Sequence, residues 1–395
     1  MNNNNWQLEI IETLDQIESI RSVWQQLQAQ EPCPVINADI DRYLSVLKAN
    51  ENQPSPLILL LKKGQSPRAM IIGRREKLSI LVRIGYKTFF RPKLNAMTVV
   101  YGGVLGQPDN ETSALLCKEI RKLLRKRQID VVFFNHLRID TPFYTQIRRV
   151  SFWYRSHFPV IEPHWRMAIP QTIEDFYVSK SKNFRKHIKK YFKRLEIEYP
   201  EQLKLKTFKL QEQLENAIQA AAQISRNTYQ SSLGVGFEDN VRNRSLIKVA
   251  SQKGWFRAHI LYMNKDPIAF RFALKYGKVY YGDGIGYVPE WKDYNIGTIS
   301  LVKVLEILCT EKIVDYYDFG FGDAFWKQSV ADESWPEAAA TYLFAPRAYP
   351  LAINCITLIN SALTLGLLWA VKKCGFYSWI KRKWRNSLMN NFDNK

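Results

Sequence analysis

Apolar residues recur along this chain at two periods, and the places where one gives way to the other mark its elements. Short apolar or alternating runs bounded by turn residues predict strands at Trp6–Ile11, Leu57–Leu61, Ala69–Gly73, Val99–Leu105 and Val131–Phe134. Lys62-Lys63-Gly64-Gln65-Ser66-Pro67 joins the second and third of these as a hairpin, and Tyr101-Gly102-Gly103 breaks the fourth into a loop. A helical period puts Leu14, Ile17, Ile20, Val23, Trp24 and Leu27 on one face, and residues 111–127 form a basic helix.

Prolines 159, 163 and 170 interrupt an aromatic-rich stretch at 150–172 and mark a lobe boundary. Phe158-Pro159-Val160 and Trp165–Pro170 read as strands opening the new lobe; His164 and Trp165 fit a pocket wall there, although such residues more often pack in a core. Beyond it lies the strongest charge feature. Lys180, Lys182, Arg185, Lys186, Lys189, Lys190, Lys193 and Arg194 precede the first acid, Glu196, while Phe184, Ile188, Tyr191, Phe192 and Leu195 fall on the opposite helical face. The apolar stripe docks on the domain and the basic face meets solvent or an anionic partner. A helix at 208–230, a loop at 231–239 and a helix at 242–253 follow, then strands Trp255–Met263, Ile268–Leu274 and Val279–Tyr287, a meander with tight turns.

The next stretch organises the rest. Asn295-Ile296-Gly297-Thr298 opens an apolar helix, which leads to a strand at Val314–Phe319 and then to Gly320-Phe321-Gly322-Asp323. Strand, small-residue turn, helix, strand is a crossover unit of an α/β sheet. A helix start offers unpaired amides and a positive dipole end, a place for phosphate. Gly297 would let a ligand approach the backbone, and Thr298 could cap the helix or touch the ligand. Asp283, Asp318 and Asp323 sit near strand ends facing the same area; any of them could take a proton, and Asp318 could equally hold a structural hydrogen bond. Lys327 could meet an anion or pair with Asp323 four residues earlier.

The chain has 395 residues, room for two ordinary domains, and its 57 basic against 37 acidic residues give a net charge of +20. Such a balance favours nucleic acid, anionic lipid or phosphorylated ligands as partners. The five cysteines are scattered, which suggests reduced thiols in a cytosolic compartment. The five histidines form no metal-binding spacing, and no metal is expected. The opening MNNNNWQLEI lacks the basic and apolar regions of a secretory signal. Ala348–Val371 carries no charge and approaches the length of a bilayer span. Asn354, Thr357, Asn360, Ser361 and Thr364 give it a polar stripe, and Lys372, Lys373, Lys381, Arg382, Lys383 and Arg385, with Trp379 and Trp384, follow. That combination suits a helix at an anionic membrane surface, with a span or soluble packing as alternatives.

Asp318-Phe319-Gly320-Phe321-Gly322-Asp323-Ala324-Phe325-Trp326-Lys327 resembles the signature of GNAT-type acyltransferases of the BioF2-like or CelD-like group, distant relatives of the Fem peptidyltransferases. Trp326 replaces the usual Tyr, Asn295-Ile296-Gly297 stands in for a Ser-Pro-Gly turn, and Tyr287-Val288-Pro289 replaces an Asp-Pro turn. Ser181, Arg185 and Lys189 or Lys190 loosely match a further helix of the group. The resemblance covers mostly residues 160–345.

It implies an α/β (α+β) fold of two GNAT-like lobes, each a mixed sheet flanked by helices: an N-terminal lobe at 1–158, an acyltransferase lobe at 159–346 and a membrane-associating tail at 347–395. It implies acyl-CoA-dependent N-acyltransfer, with acetyl-CoA or a longer acyl-CoA as donor, to an amine of an amino sugar, amino acid or envelope or polysaccharide precursor. Asn295, Gly297, Thr298 and Tyr287 would meet the donor, Asp323, Lys327, Asp318 and Asp283 would serve the chemistry, and Arg185 and Lys189 would hold an anion or substrate. The expected location is cytoplasmic, at the inner face of the membrane. The alternatives are a catalytically degenerate membrane-surface scaffold and a Fem-like transferase using aminoacyl-tRNA, for which the basic helix would be the RNA contact.

Overall fold

The computed structural model describes residues 5–50, 53–84, 87–226 and 236–373. They divide into two units. The first runs to Glu162 and resumes at Pro336; the second is Pro163–Trp335.

The first unit opens with β1 (Trp6–Ile11), then α1 (Leu14–Ser19), α2 (Arg21–Ala29) and α3 (Ile40–Ala49). Thr13 caps α1 in a capping box with Gln16, and Asp39 caps α3. Strands β2 (Ser55–Lys63) and β3 (Ser66–Ser79) form the expected hairpin, and a small hairpin of β4 (Val82–Ile84) and β5 (Lys87–Phe90) leads to β6 (Lys93–Leu105). Helix α4 (Asn110–Arg125) crosses over to β7 (Val131–Arg138), parallel to β6, and α5 (Pro142–Arg148) follows. In β2, Leu57, Leu59 and Leu61 face the α4 core while Ile58 and Leu60 face the core of α1, α2 and α3. The run is apolar at every position because the sheet is covered on both faces.

The second unit begins with β8 (Ile161–Ala168), α6 (Ile173–Ser179) and α7 (Lys182–Glu198), the last capped by Ser181. Strand β9 (Leu203–Phe208) precedes α8 (Leu214–Arg226), so the helix expected from residue 208 starts later: 203–208 is an edge strand whose alternating Leu and Lys make a weak apolar signal. The expected loop at 231–239 falls largely outside the described residues. Helix α9 (Val241–Gln252) leads into the meander of β10 (Phe256–Met263), β11 (Asp266–Tyr276) and β12 (Val279–Tyr287). After a 3-10 turn at Pro289–Tyr294, α10 (Ile296–Glu311) crosses to β13 (Tyr316–Phe321), and α11 (Phe325–Val330) is a short helix beyond it. This unit's strand order is β8-β13-β12-β11-β10-β9, with β12 and β13 parallel.

The chain then returns to the first unit through β14 (Glu333–Phe344), whose residues from Glu337 pair antiparallel with β7, and ends in α12 (Ala348–Lys373). The first unit's order becomes β1-β2-β3-β6-β7-β14. Each unit thus has four antiparallel strands, a helical crossover to a parallel fifth, and an antiparallel sixth. The mixed α/β fold, two units with the same strand pattern, is the fold class expected from the sequence. From Glu337, β14 pairs with β7, so the first unit takes up the chain again at Pro336.

Candidate active site

In the second unit, β12 and β13 pair over only three positions: Val279 with Tyr316, Tyr280 with Tyr317, and Tyr281 with Asp318. Beyond Tyr281, β12 continues beside β11, reaching Tyr287 opposite Ala269, while β13 continues beside β8, reaching Phe321 opposite His164. The two parallel strands therefore part, and the fork opens at their C-terminal ends. That is where α10 begins, since the 3-10 turn connects directly from the end of β12. The open end of a parallel pair with a helix start beside it is the usual ligand position in such sheets.

Asn295, at φ +51°, turns the chain into α10 without a side-chain cap on the helix amides, and the first turn contains no acidic residue. Its side-chain oxygen accepts from the Thr298 hydroxyl at 2.9 Å. Thr298 and Ile299 donate their amides to the Asn295 carbonyl, while the amides of Ile296 and Gly297 precede any helical acceptor. A Cβ at Gly297 would lie 3.5 Å from the Tyr287 ring, an ordinary contact, so the helix start sits directly behind that half-exposed tyrosine.

Beneath this turn lies Arg271, in the middle of β11 and 5% exposed. Its Nε donates to Ser300 Oγ at 2.9 Å and an Nη to the Gly297 carbonyl at 2.6 Å. Burial lowers its pKa while hydrogen bonding to Tyr317 supports the charged form. Among the described residues no carboxylate is within ion-pair distance of it. On the same strand, Ala269 and Ala273 leave room for the long side chain below α10, and Phe270 and Phe272 point to the other face with Phe237. Tyr280 and His259 continue this buried layer; His259 accepts or donates between Thr207 and Tyr280, and burial together with the charges of Arg271, Lys209 and Arg257 pulls its pKa down to about 3. The histidine is neutral at any working pH. Arg271 and His259 were not singled out from the sequence, although a charge inside the apolar run Ile268–Leu274 was the available signal.

Asp318, at the point where the strands part, is 6% exposed. Both its oxygens lie 2.8 Å from His164 Nε2, and one accepts the Gly320 amide at 2.8 Å. The His164 ring stacks on Trp335 at 4.5 Å. The pocket residue read at 164 and the carboxylate read at 318 therefore form one buried pair, joined across β8 and β13.

The remaining sequence candidates scatter. Asp283 is exposed on β12 beyond its pairing with β13. Asp323 is exposed and accepts from Gln328. Lys327 donates to the carbonyls of Gly320 and Phe321, holding the glycine turn where Gly320 and Gly322 take positive φ. Lys189 is exposed and Arg185 half-buried on α7, and neither has an ion-pair partner among the described residues. It is the C-terminal half of α7, through Tyr191 and Leu195, that packs against Ile296 and Ile299; there Arg194 pairs with Glu198 and covers the Tyr294 ring at 4.2 Å. Lys180 does not belong to the exposed row: its ammonium is buried between the Val330 carbonyl, at 2.7 Å, and Asp332, at 2.9 Å.

The first unit has the same fork, since β6 and β7 pair only from Ala96–Val131 to Val99–Phe134. Its features differ. Gly102, at φ +71°, faces Val35 so closely that a Cβ would lie 2.4 Å from it, and Asp109 caps the crossover helix, with Glu111 in the first turn. An anion would meet two carboxylates there. Among the described residues no group of three His, Cys, Asp or Glu side chains could hold a metal ion.

Residues 182–328, from α7 into α11, match the family model described as an acetyltransferase (GNAT) domain. The stretch contains the fork, Arg271 and the start of α10. Among solved structures, FemX is similar at 9% identity with a TM-score of 0.56, over 85% of this chain and 97% of that one. A tandem GNAT protein from the clavulanic acid biosynthesis pathway is similar at 12% identity with a TM-score of 0.52, over 87% of this chain and 100% of that one. These likenesses are of fold, and they fit the two-lobe description. No curated protein matches the chain.

Proposed function

We propose that this protein is an acyl-CoA-dependent N-acyltransferase whose donor lies in the fork of the second unit. The reading rests on one observation: the parting of β12 from β13 and the acid-free, uncapped start of α10 occur at the same end of the sheet. Donor phosphates would meet the amides of Ile296 and Gly297, with Asn295 and Thr298 shaping the turn and Tyr287 beside it. The thioester would lie along the edge of β12 that faces the fork, where backbone amides can polarise its carbonyl. The acceptor amine attacks that carbon, a proton leaves the nitrogen, the C–S bond breaks and the thiolate is protonated. Asp318, fixed by His164, is the group best placed to accept the proton, directly or through water; Asp283 and Asp323 are exposed alternatives on either side, and Lys327 holds the intervening turn. The narrower likeness to the BioF2-like or CelD-like group makes an amino sugar, amino acid or envelope precursor the acceptor class. The lobes are then 1–158 and 159–346 in sequence terms, with β14 returning to the first sheet.

The location we assign is the cytoplasmic face of a membrane. Ala348–Val371 is long and apolar enough to cross a bilayer. Its polar stripe faces inward: Asn354 is buried and donates to the carbonyls of Trp153 and Arg155. Ile359, Leu363, Leu365, Leu367 and Trp369 are exposed, an inversion that suits lipid. The basic residues at 381–385 lie outside the described residues.

A second reading draws on α7. Lys182, Arg185, Lys186, Lys189, Lys190 and Lys193 have no ion-pair partner among the described residues, which favours a polyanion and hence an aminoacyl-tRNA donor. The deciding experiment is a thermal-shift titration, in detergent, with acetyl-CoA, longer acyl-CoAs and CoA, followed by a thiol-release assay over candidate amines. A saturable shift and amine-dependent thiol release support the acyl-CoA enzyme. A shift without release by any amine points to a scaffold, and no shift with any CoA species points to the tRNA reading.

A further inference from the structure

Arg271 is a full positive charge in the core of the second unit, and among the described residues its partners are neutral. Its Nε donates to Ser300 Oγ and an Nη to the Gly297 carbonyl, and the neighbouring Tyr317 favours its charged form. Salt bridges elsewhere in the unit join Arg166 to Glu333 and Lys180 to Asp332, so acids are within reach of other cations. A guanidinium does not lose its proton under working conditions, and an ion taken out of water without a counter-charge is costly. Holding α10 against the sheet does not demand such a charge; a packed apolar side chain would do it with less penalty. The placement supplies a reason. The guanidinium lies under residues 297–300, the first turn of the crossover helix, and grips the carbonyl of Gly297. Its charge adds to the positive end of the helix at a first turn that contains no acidic residue.

We propose that Arg271 is a specificity-determining residue of the donor site: its counter-ion is the phosphate group of the donor, and it makes the fork select phosphate-bearing thioesters over neutral ones with the same acyl arm. This rests on the reading that the start of α10 receives the donor. The residue acts through the helix turn and through space rather than by touching the reacting atoms. The interaction is formed in a buried, low-dielectric position, where a charge is felt more strongly than at the surface.

The test compares two ligands that share the thiol arm, CoA and pantetheine, by calorimetry on the full chain. In the parent protein CoA is expected to bind more tightly than pantetheine. Arg271→Gln is expected to weaken CoA by about tenfold or more while changing pantetheine by less than about threefold, the range of one charge-assisted contact. A purely structural role would weaken both ligands equally, and that result overturns the proposal. Ser300→Ala removes one hydrogen bond but keeps the charge, and is expected to leave the CoA-to-pantetheine ratio unchanged. If Arg271→Gln does not fold, Arg271→Lys gives the answer: a ratio close to the parent's supports the proposal, and a ratio that collapses in the folded lysine variant refutes it. Absence of CoA binding by the parent would instead remove the underlying donor reading, which separates the two failures.

Discussion

His164 Nε2 lies 2.8 Å from both carboxylate oxygens of Asp318, and the pair is closed over by the Trp335 ring. Asp318 is also the last residue of β13 to pair with β12, so the buried pair stands where the two strands separate. Asp318→Asn is expected to lower kcat by about a hundredfold, the scale of a lost general base, with CoA affinity within about threefold of the parent. Unchanged kcat would assign the pair to structure alone. His164→Phe leaves the carboxylate short of a partner and should lower stability by about 1–3 kcal/mol by chemical denaturation.

Gly297→Ala is expected to fold normally, because the new methyl meets only the Tyr287 ring at 3.5 Å and φ is not in the left-handed region. Gly297→Leu must displace Tyr287 and fill the approach to the helix start. A CoA affinity that falls progressively from Gly to Ala to Leu, with little change in melting temperature, would confirm that the donor passes close to this backbone. Equal affinity in all three would place the donor elsewhere.

These two sites differ in how far the sequence revealed them. The turn at 295–298 was legible because backbone chemistry is written in local residue types. The strand–helix–strand order around it was legible from periodicity. The partnership of His164 with Asp318 was not, since it joins residues 154 positions apart through the pairing of β8 with β13. Lys180 was misassigned for the same reason: helical spacing puts it at the edge of the basic face, but Asp332, brought in by the fold, takes it inside. The return of β14 was equally hidden, because strand periodicity says that a segment pairs, not with which sheet.

His259 makes stability depend on pH. Its folded pKa is about 3, below the ordinary value of 6.5, so between these limits the unfolded chain takes up a proton that the folded chain refuses. Stability is full above pH 6.5 and declines as pH falls toward 3, with a limiting slope of about 1.4 kcal/mol per unit from this group. Denaturation curves at a series of pH values should show the slope, and His259→Gln should flatten it. A slope unchanged in the variant would assign the acid sensitivity to other groups.

Two glycines, one in each unit, offer a contrast. Gly102→Ala must strain a left-handed residue and push against Val35, with a Cβ 2.4 Å from the valine Cβ, whereas Gly254→Ala, at φ +69°, meets no atom within 4 Å. Urea curves should show the first losing clearly more stability than the second, which should lose about 1 kcal/mol, the scale of left-handed backbone strain. Equal losses would mean that Val35 can move aside.

Removing the chain after Thr357 keeps Asn354 and its contacts with Trp153 and Arg155 but deletes the exposed apolar part of α12. The shortened protein is expected to stay in the supernatant with vesicles containing phosphatidylglycerol while the full chain sediments with them, and CoA binding should be unaffected. Sedimentation of both would move the membrane contact to another surface.

Because β14 lies after the whole second unit in the chain, the order of synthesis and the order of assembly disagree. A ribosome releases β1 to β7 early, yet β7 keeps an open edge until Phe344 has emerged. The second unit, continuous from Pro163 to Trp335, can settle in the meantime. The first sheet is thus exposed to mispairing for the duration of about half the chain's translation, and the early segment is the one for which a chaperone at the tunnel exit would matter most.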